Sequence, residues 1–261
     1  MKPPNGWFFV GKCYNSSMFP LVHIYAATTI SKKKTHLLVI GSVLPDLVWV
    51  NRDKFPPQNL HDSLDDFYSY IEKNHKDMLD LALGMKLHSN EVGADKYSHF
   101  YKGGYSYVKG KELAPDLSKL VDSNSDKKMF DLSHNFMEAA LDLNLLNDHP
   151  EIIDLYKDSL HGVDLRMISK VLSEYSNIDY ELFFKTIQTL FDVVNPENLA
   201  SEESISNFVL PKMIKLGFNQ DVDDQKVLRI LQKAVRISSK DYKELFSEML
   251  AIMKKDFSEY N

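Results

Sequence analysis

The stretch Gly84-Met-Lys-Leu-His88-Ser-Asn-Glu91-Val-Gly93-Ala-Asp95-Lys-Tyr-Ser-His99 decides how the chain is read, because it sets four potential metal ligands within twelve residues. As a single helix at about 100° per residue, it carries His88, Glu91, Asp95 and His99 on one stripe roughly 80° wide. A straight helix holds His88 and Asp95 about 10 Å apart along its axis, whereas zinc binds its ligand atoms at roughly 2.0–2.2 Å. Only close pairs then share an ion: Asp95 with His99, and His88 with Glu91. Either two ions bind here, or Gly93 marks a break that brings His88 and Asp95 together. Without a metal, the stretch is a polar helix face on which His88 is a surface residue.

The composition suits a metal site built from imidazoles and carboxylates. Among 261 residues, 44% are hydrophobic and 11% aromatic, enough for a sizeable core. The formal net charge of −6 supplies no electrostatic footprint for duplex nucleic acid. Cys13 is the single cysteine, which excludes a disulfide framework and thiolate zinc sites alike. The apolar run Trp7 to Val10 is too short for a signal-peptide core, so a cytoplasmic protein is expected. Leu37 to Val50 and Met78 to Leu87 are the longest apolar segments. Both contain charged residues and fall short of the roughly 20 residues of a membrane span, so no transmembrane segment is expected.

Taken in order, the periodicity is helical throughout, and the expected fold class is all-α. Pro20 opens a helix running through Ala27 that Ser31 and Lys32 to Lys34 close, with His23 in its first turn. Gly41-Ser-Val-Leu-Pro-Asp46 follows, and Pro45 lifts Asp46 to a turn, where it is either an N-cap for Leu47 to Val50 or a ligand. A proline-rich loop, Phe55 to Leu60, delivers His61. Apolar residues then recur at three and four from Ser63 to Asn74 and from Lys76 to Leu87. Phe100 to Lys111 reads as a Gly-rich loop whose Tyr101, Tyr105 and Tyr107 either line a substrate rim, suited to a lipid or nucleotide head, or simply anchor the surface. A helix from Lys127 to about Leu146 carries His134 and Glu138 at i, i+4, where both reach one ion and where an unpaired buried Glu138 is costly. From Pro150 the pattern continues as helices, with capping or breaking signals at Asn177, Asn195-Pro196, Pro211 and Gly217. We therefore expect a metal-binding core over residues 1–149, with residues 150–261 packed on it as a wall, a lid or a homodimer surface.

In ligand order, His23, Asp46 within Gly-x-x-x-Pro-Asp, His61, the His88 to His99 stretch and His134-x-x-x-Glu138 resemble the zinc-dependent phospholipase C family, whose all-helical fold is shared with fungal single-strand nucleases. Leu-Val-His-Ile-Tyr-Ala-Ala around His23 resembles the family's first motif, and the likeness spans roughly residues 20 to 140. It implies a helical bundle around two or three zinc ions: one on Asp46, His61, His88 and Asp95, a second on His99, His134 and Glu138, with Asp95 bridging to a third through His23. It also implies hydrolysis of a small phosphodiester or phospholipid head group, with Asp46 orienting or deprotonating the attacking water. Two departures stand out. Six residues separate His88 from Asp95 where the family has three, so either Glu91 substitutes or the extra residues bulge, and the family's processed N-terminal tryptophan has no counterpart in a chain beginning at Met1.

Two other readings compete. One takes His61-Asp62 as the metal-binding pair of an HD-type phosphohydrolase, which leaves His134 and Glu138 without a role. The other is a non-catalytic helical scaffold whose histidines are structural.

Overall fold

Pro20, with its fixed φ and missing N–H, opens α1 (Pro20–Ser31), a helix buried through Leu21, His23, Ile24, Ala26 and Ala27. This computed structural model describes residues 20–51, 53–62, 64–99, 103–121 and 126–259, and among them it is all-α, with no strand. Thr35 caps α2 (His36–Gly41) by accepting the Leu38 N–H. A 3-10 turn (Leu44–Asp46) leads into α3 (Leu47–Val50). After a π-helical turn (Gln58–Asp62) come α4 (Asp65–Asn74) and α5 (Leu79–His88). The short α6 (Asp95–His99), α7 (Tyr105–Gly110) and α8 (Ala114–Leu117) precede α9 (Asp126–Asp148), the longest helix of the fold.

Two glycines set the distance between α2 and α5. A Cβ on Gly84 would lie 2.2 Å from the Leu38 carbonyl oxygen, and one on Gly41 would lie 2.2 Å from that of Leu81. At this spacing the His88 ring meets the backbone at Ser42, so the packing of two apolar helices fixes the place of that imidazole.

The central stretch is two helices, not one. Ser89 leaves helical geometry at ψ 162, ending α5, and the chain folds back until the Ala94 N–H donates to the Leu87 carbonyl at 3.0 Å. The break thus falls at Ser89. Gly93 permits the return, since a Cβ there would sit 2.3 Å from the His88 carbonyl carbon and from the Ser89 nitrogen. The Gly-rich reading of residues 100–111 also needs correcting: residues 105–110 are helical because Ser106, Tyr107 and Gly110 bury against α9.

The second half adds α10 (Glu151–His161), α11 (Leu165–Ser176), α12 (Tyr180–Val193), α13 (Pro196–Leu199), α14 (Glu202–Ser204), α15 (Leu210–Phe218), α16 (Asp224–Ser238) and α17 (Tyr242–Glu259). Asn177 ends α11 in the left-handed conformation and Asn195 caps α13. Pro211 sits in the first turn of α15 and opens it, while Gly217 lies inside that helix, which Asn219 ends at φ 53. Here α10 packs on α2, α12 on α3, α16 on α9 and α17 on α1. One apolar cluster runs through both halves, including Leu21, Leu81 and Phe136 together with Tyr156, Phe183 and Leu231. Burying side chains of this size stabilises the fold by about 1.5–3 kcal/mol each. Two carboxylates fasten α17 across the ligand-bearing segment: Asp241 accepts from Tyr105 (2.6 Å) and Lys109 (2.5 Å), and Asp256 accepts from Lys96 (2.7 Å). Among the described residues, no helix is long and apolar enough to cross a membrane.

Candidate metal centre

Six segments deliver eight candidate ligand side chains to one place. His23 comes from α1, Asp46 from the 3-10 turn, His61 from the π-helical turn, His88 from the last residue of α5, Asp95 and His99 from the two ends of α6, and His134 and Glu138 from α9. They form three groups able to hold a metal ion: His23, Asp46 and His88; His61, His88 and Asp95; and His99, His134 and Glu138, with the ligand atoms of each group within 4.8 Å of one another. Asp95 stands at the centre. Its Oδ2 lies 3.0 Å from His61 Nε2, 3.5 Å from His88 Nε2 and 3.5 Å from His99 Nδ1, while its Oδ1 lies 3.4 Å from His23 Nε2. The α9 pair closes the other side, with Glu138 Oε1 2.9 Å from His134 Nε2 and 3.4 Å from His99 Nε2.

Although the Nε2 atoms of His61, His88 and His134 lie close to carboxylates, they are buried without a hydrogen-bond partner among the described residues, as are both oxygens of Asp46 and of Asp95. An orphaned buried polar atom costs roughly 1–3 kcal/mol, more when charged, so this many at one place need an explanation. Donor atoms aimed at a common point instead of at each other fit cations, and a set of imidazoles and carboxylates fits zinc. The fit extends behind the rings. His88 Nδ1–H donates to the Ser42 carbonyl at 2.7 Å, and the Nδ1 atoms of His61, His134 and His99 meet Asp62 Oδ1 (3.2 Å), Asn135 Oδ1 (3.3 Å) and Asn90 Oδ1 (3.3 Å). A ring whose Nδ1 carries the proton presents a bare Nε2 to the centre, which is the ligating tautomer.

Burial and mutual charge shift several titrations in the cluster. Burial, helped by the adjacent His88, drives His23 down to about 3, and burial with Asp95 alongside lifts the Asp46 carboxyl. At His61 burial is outweighed by Asp62 and Asp95, which raise it to about 10. Burial of Asp95 is overridden by His99 and His88, which hold it well below the usual carboxylate range. His134 and Glu138 each resist charging through burial, yet their attraction raises the imidazole and lowers the carboxyl. Asp95 and Glu138, held as carboxylates this deep, require positive charge beside them, from imidazolium or from metal.

Asp95, and not Glu91, faces the cluster: Asp95 is fully buried, whereas Glu91 is exposed and belongs to none of the three groups. Asp46 makes no side-chain cap at α3, contrary to its N-cap reading. Among the rim tyrosines, Tyr107 stacks on His134 with ring centroids 4.4 Å apart, and half-exposed Phe130 stacks on its far side at 4.4 Å. Tyr105 is engaged with Asp241 and lines a groove containing none of the ligands, so it is no part of this rim. Tyr101 lies outside the described residues.

Several supporting residues escaped the sequence reading. Trp49 meets the His61 ring edge-on at 5.3 Å. Ser98 Oγ donates to Glu138 Oε1 at 2.5 Å. Asp142, fully buried on α9, accepts the Leu21 N–H at 3.0 Å and the Val22 N–H at 2.9 Å, anchoring the start of α1 just before His23. Burial pushes its carboxyl up to about 8 against those two amides. Its signal was present, because His134, Glu138 and Asp142 recur every four residues on one helix face. No family model, curated protein or solved structure matches the chain.

Proposed function

We propose that the protein is a zinc-dependent phosphoric diester hydrolase of phospholipase C type, acting on a small phosphodiester or phospholipid head group. The observation that carries this reading is the convergence of eight buried His, Asp and Glu side chains into three ligand groups. In this reading His61, His88 and Asp95 hold one ion with Asp46, whose Oδ1 is 3.7 Å from His88 Nε2, and His99, His134 and Glu138 hold a second. His23, grouped with Asp46 and His88, is positioned for a third. When bound, the ions lower the pKa of a water at the cluster toward 7 and offset the charge of a phosphodiester. Asp46 is assigned to orient that water or take its proton, a role suited to a carboxylate whose burial raises its proton affinity. Tyr107 and Phe130 form an aromatic edge beside His134 for the organic part of the substrate.

The HD-type alternative needs Asp62 as a ligand. Asp62 instead stands behind His61, half-exposed, on the ring nitrogen opposite the cluster. Turnover of bis-p-nitrophenyl phosphate by zinc-loaded protein tests the reading: hydrolysis should vanish with chelator and return with zinc. A zinc-replete protein inert toward diesters would favour the non-catalytic scaffold.

A further inference from the structure

The loop that separates His88 from Asp95 does more than fold back. Its second residue, Asn90, touches a ring of one ligand group and the support behind a ring of another. Asn90 Oδ1 lies 3.3 Å from His99 Nδ1, and Asn90 Nδ2 donates to Asp62 Oδ1 at 2.8 Å. That same Asp62 oxygen lies 3.2 Å from His61 Nδ1. Running from ring to ring, the chain of contacts is His61, Asp62, Asn90, His99, and Asn90 Nδ2 also stands 3.4 Å from His61 Nδ1 itself. A carboxamide accepts at its oxygen and donates from its nitrogen, which both bonds require at once.

Because His61 belongs to the group with His88 and Asp95, and His99 to the group with His134 and Glu138, we propose that Asn90 is a positioning residue coupling the two metal sites. It holds the His99 ring so that Nε2 turns toward Glu138, and through Asp62 it does the same for His61 toward Asp95. The inference rests on the reading of these groups as metal sites. It adds that the two fill interdependently, since an ion that fixes one ring tightens a hydrogen-bond chain ending on the other. It also gives the six-residue interval a purpose: the loop supplies a side chain at a point that a plain helical turn would leave to solvent.

The test is zinc titration of the metal-free protein by calorimetry, on wild type, Asn90→Ala, Asp62→Ala and the double variant. Asn90 is only partly buried, so its variants should keep the wild-type circular dichroism. Removing such a support weakens metal binding by about 10–100-fold, and Asn90→Ala is expected to do so at both sites. Among the candidate ligand rings Asp62 meets His61 and not His99, yet Asp62→Ala should also weaken the His99 site, and that remote effect should disappear in the Asn90→Ala background. Asn90→Asp, which accepts from His99 but sets a second carboxylate against Asp62 in place of a donor, should likewise uncouple the two sites. Unchanged zinc affinities in Asn90→Ala, or additive losses in the double variant, would overturn the coupling while leaving the metal reading intact. A wild-type protein that takes up no zinc would overturn both.

Discussion

Replacing Asp142 by alanine should cost about 3 kcal/mol, and the structure shows where that figure arises. The two carboxylate oxygens accept the Leu21 and Val22 N–H groups, across 121 and 120 residues of sequence, in the first turn of α1, whose N–H groups lack partners within the helix. Alanine removes both acceptors. The Leu21 N–H is buried and loses about 2 kcal/mol, toward the middle of the range for an orphaned donor, while Val22 is partly exposed and, with water in reach, loses about 1 kcal/mol. Asparagine keeps one acceptor oxygen and should cost about half as much. For a protein of this size, 3 kcal/mol corresponds to a fall of roughly 6–12 °C in Tm. Urea unfolding of the chelator-treated proteins measures the difference without a metal contribution. Since Val22 adjoins His23, the alanine variant should also bind zinc less tightly at the group of His23, Asp46 and His88. A Asp142→Ala protein within about 0.5 kcal/mol of wild type would refute the view that this carboxylate anchors α1.

Three further outcomes follow from the same geometry. Gly84→Ala places a methyl where only 2.2 Å separates it from the Leu38 carbonyl oxygen, so α2 and α5 must part. We expect a loss of about 1–3 kcal/mol in urea unfolding, together with weaker zinc binding through His88. Asp95→Asn should abolish zinc-dependent diester hydrolysis, and Glu91→Gln should leave it near wild type; reversed sensitivities would contradict the placement of these two residues. Chelation should lower Tm, because zinc present at a hundred times its Kd stabilises the fold by about 2.7 kcal/mol per site; coincident melting curves with and without chelator, in protein known to carry zinc, would count against this linkage.

The helical class was legible in the apolar spacing, and the pairing of His134 with Glu138 followed from a four-residue interval on one long helix. His23, Asp46 and His61 were legible only through their order, since each is isolated in its own segment and nothing local separates a ligand from a core histidine or a helix cap. The central stretch shows the limit most clearly. Its residue types were recognisable, but a regular helix separates His88 from Asp95. The turn at Ser89 depends on the close contact of Gly93 with the His88 backbone, a tertiary fact that composition does not carry. Tyr105 looked equivalent to Tyr107 in sequence, yet two positions along a helix point their rings to different sides, one toward His134 and one toward Asp241. The supports at Asn90, Asp62 and Asn135 adjoin or lie near ligands in sequence, but their function appears only when the ring nitrogens they face are known.

The central claim is that these eight side chains are a metal centre, and the most direct measurement is the metal content of the purified protein after equilibration with zinc and removal of free ion. Two or more zinc ions per chain, falling toward one when His134 and Glu138 are both replaced by alanine, is the result expected from the three ligand groups. A folded protein that retains no zinc under these conditions would contradict it.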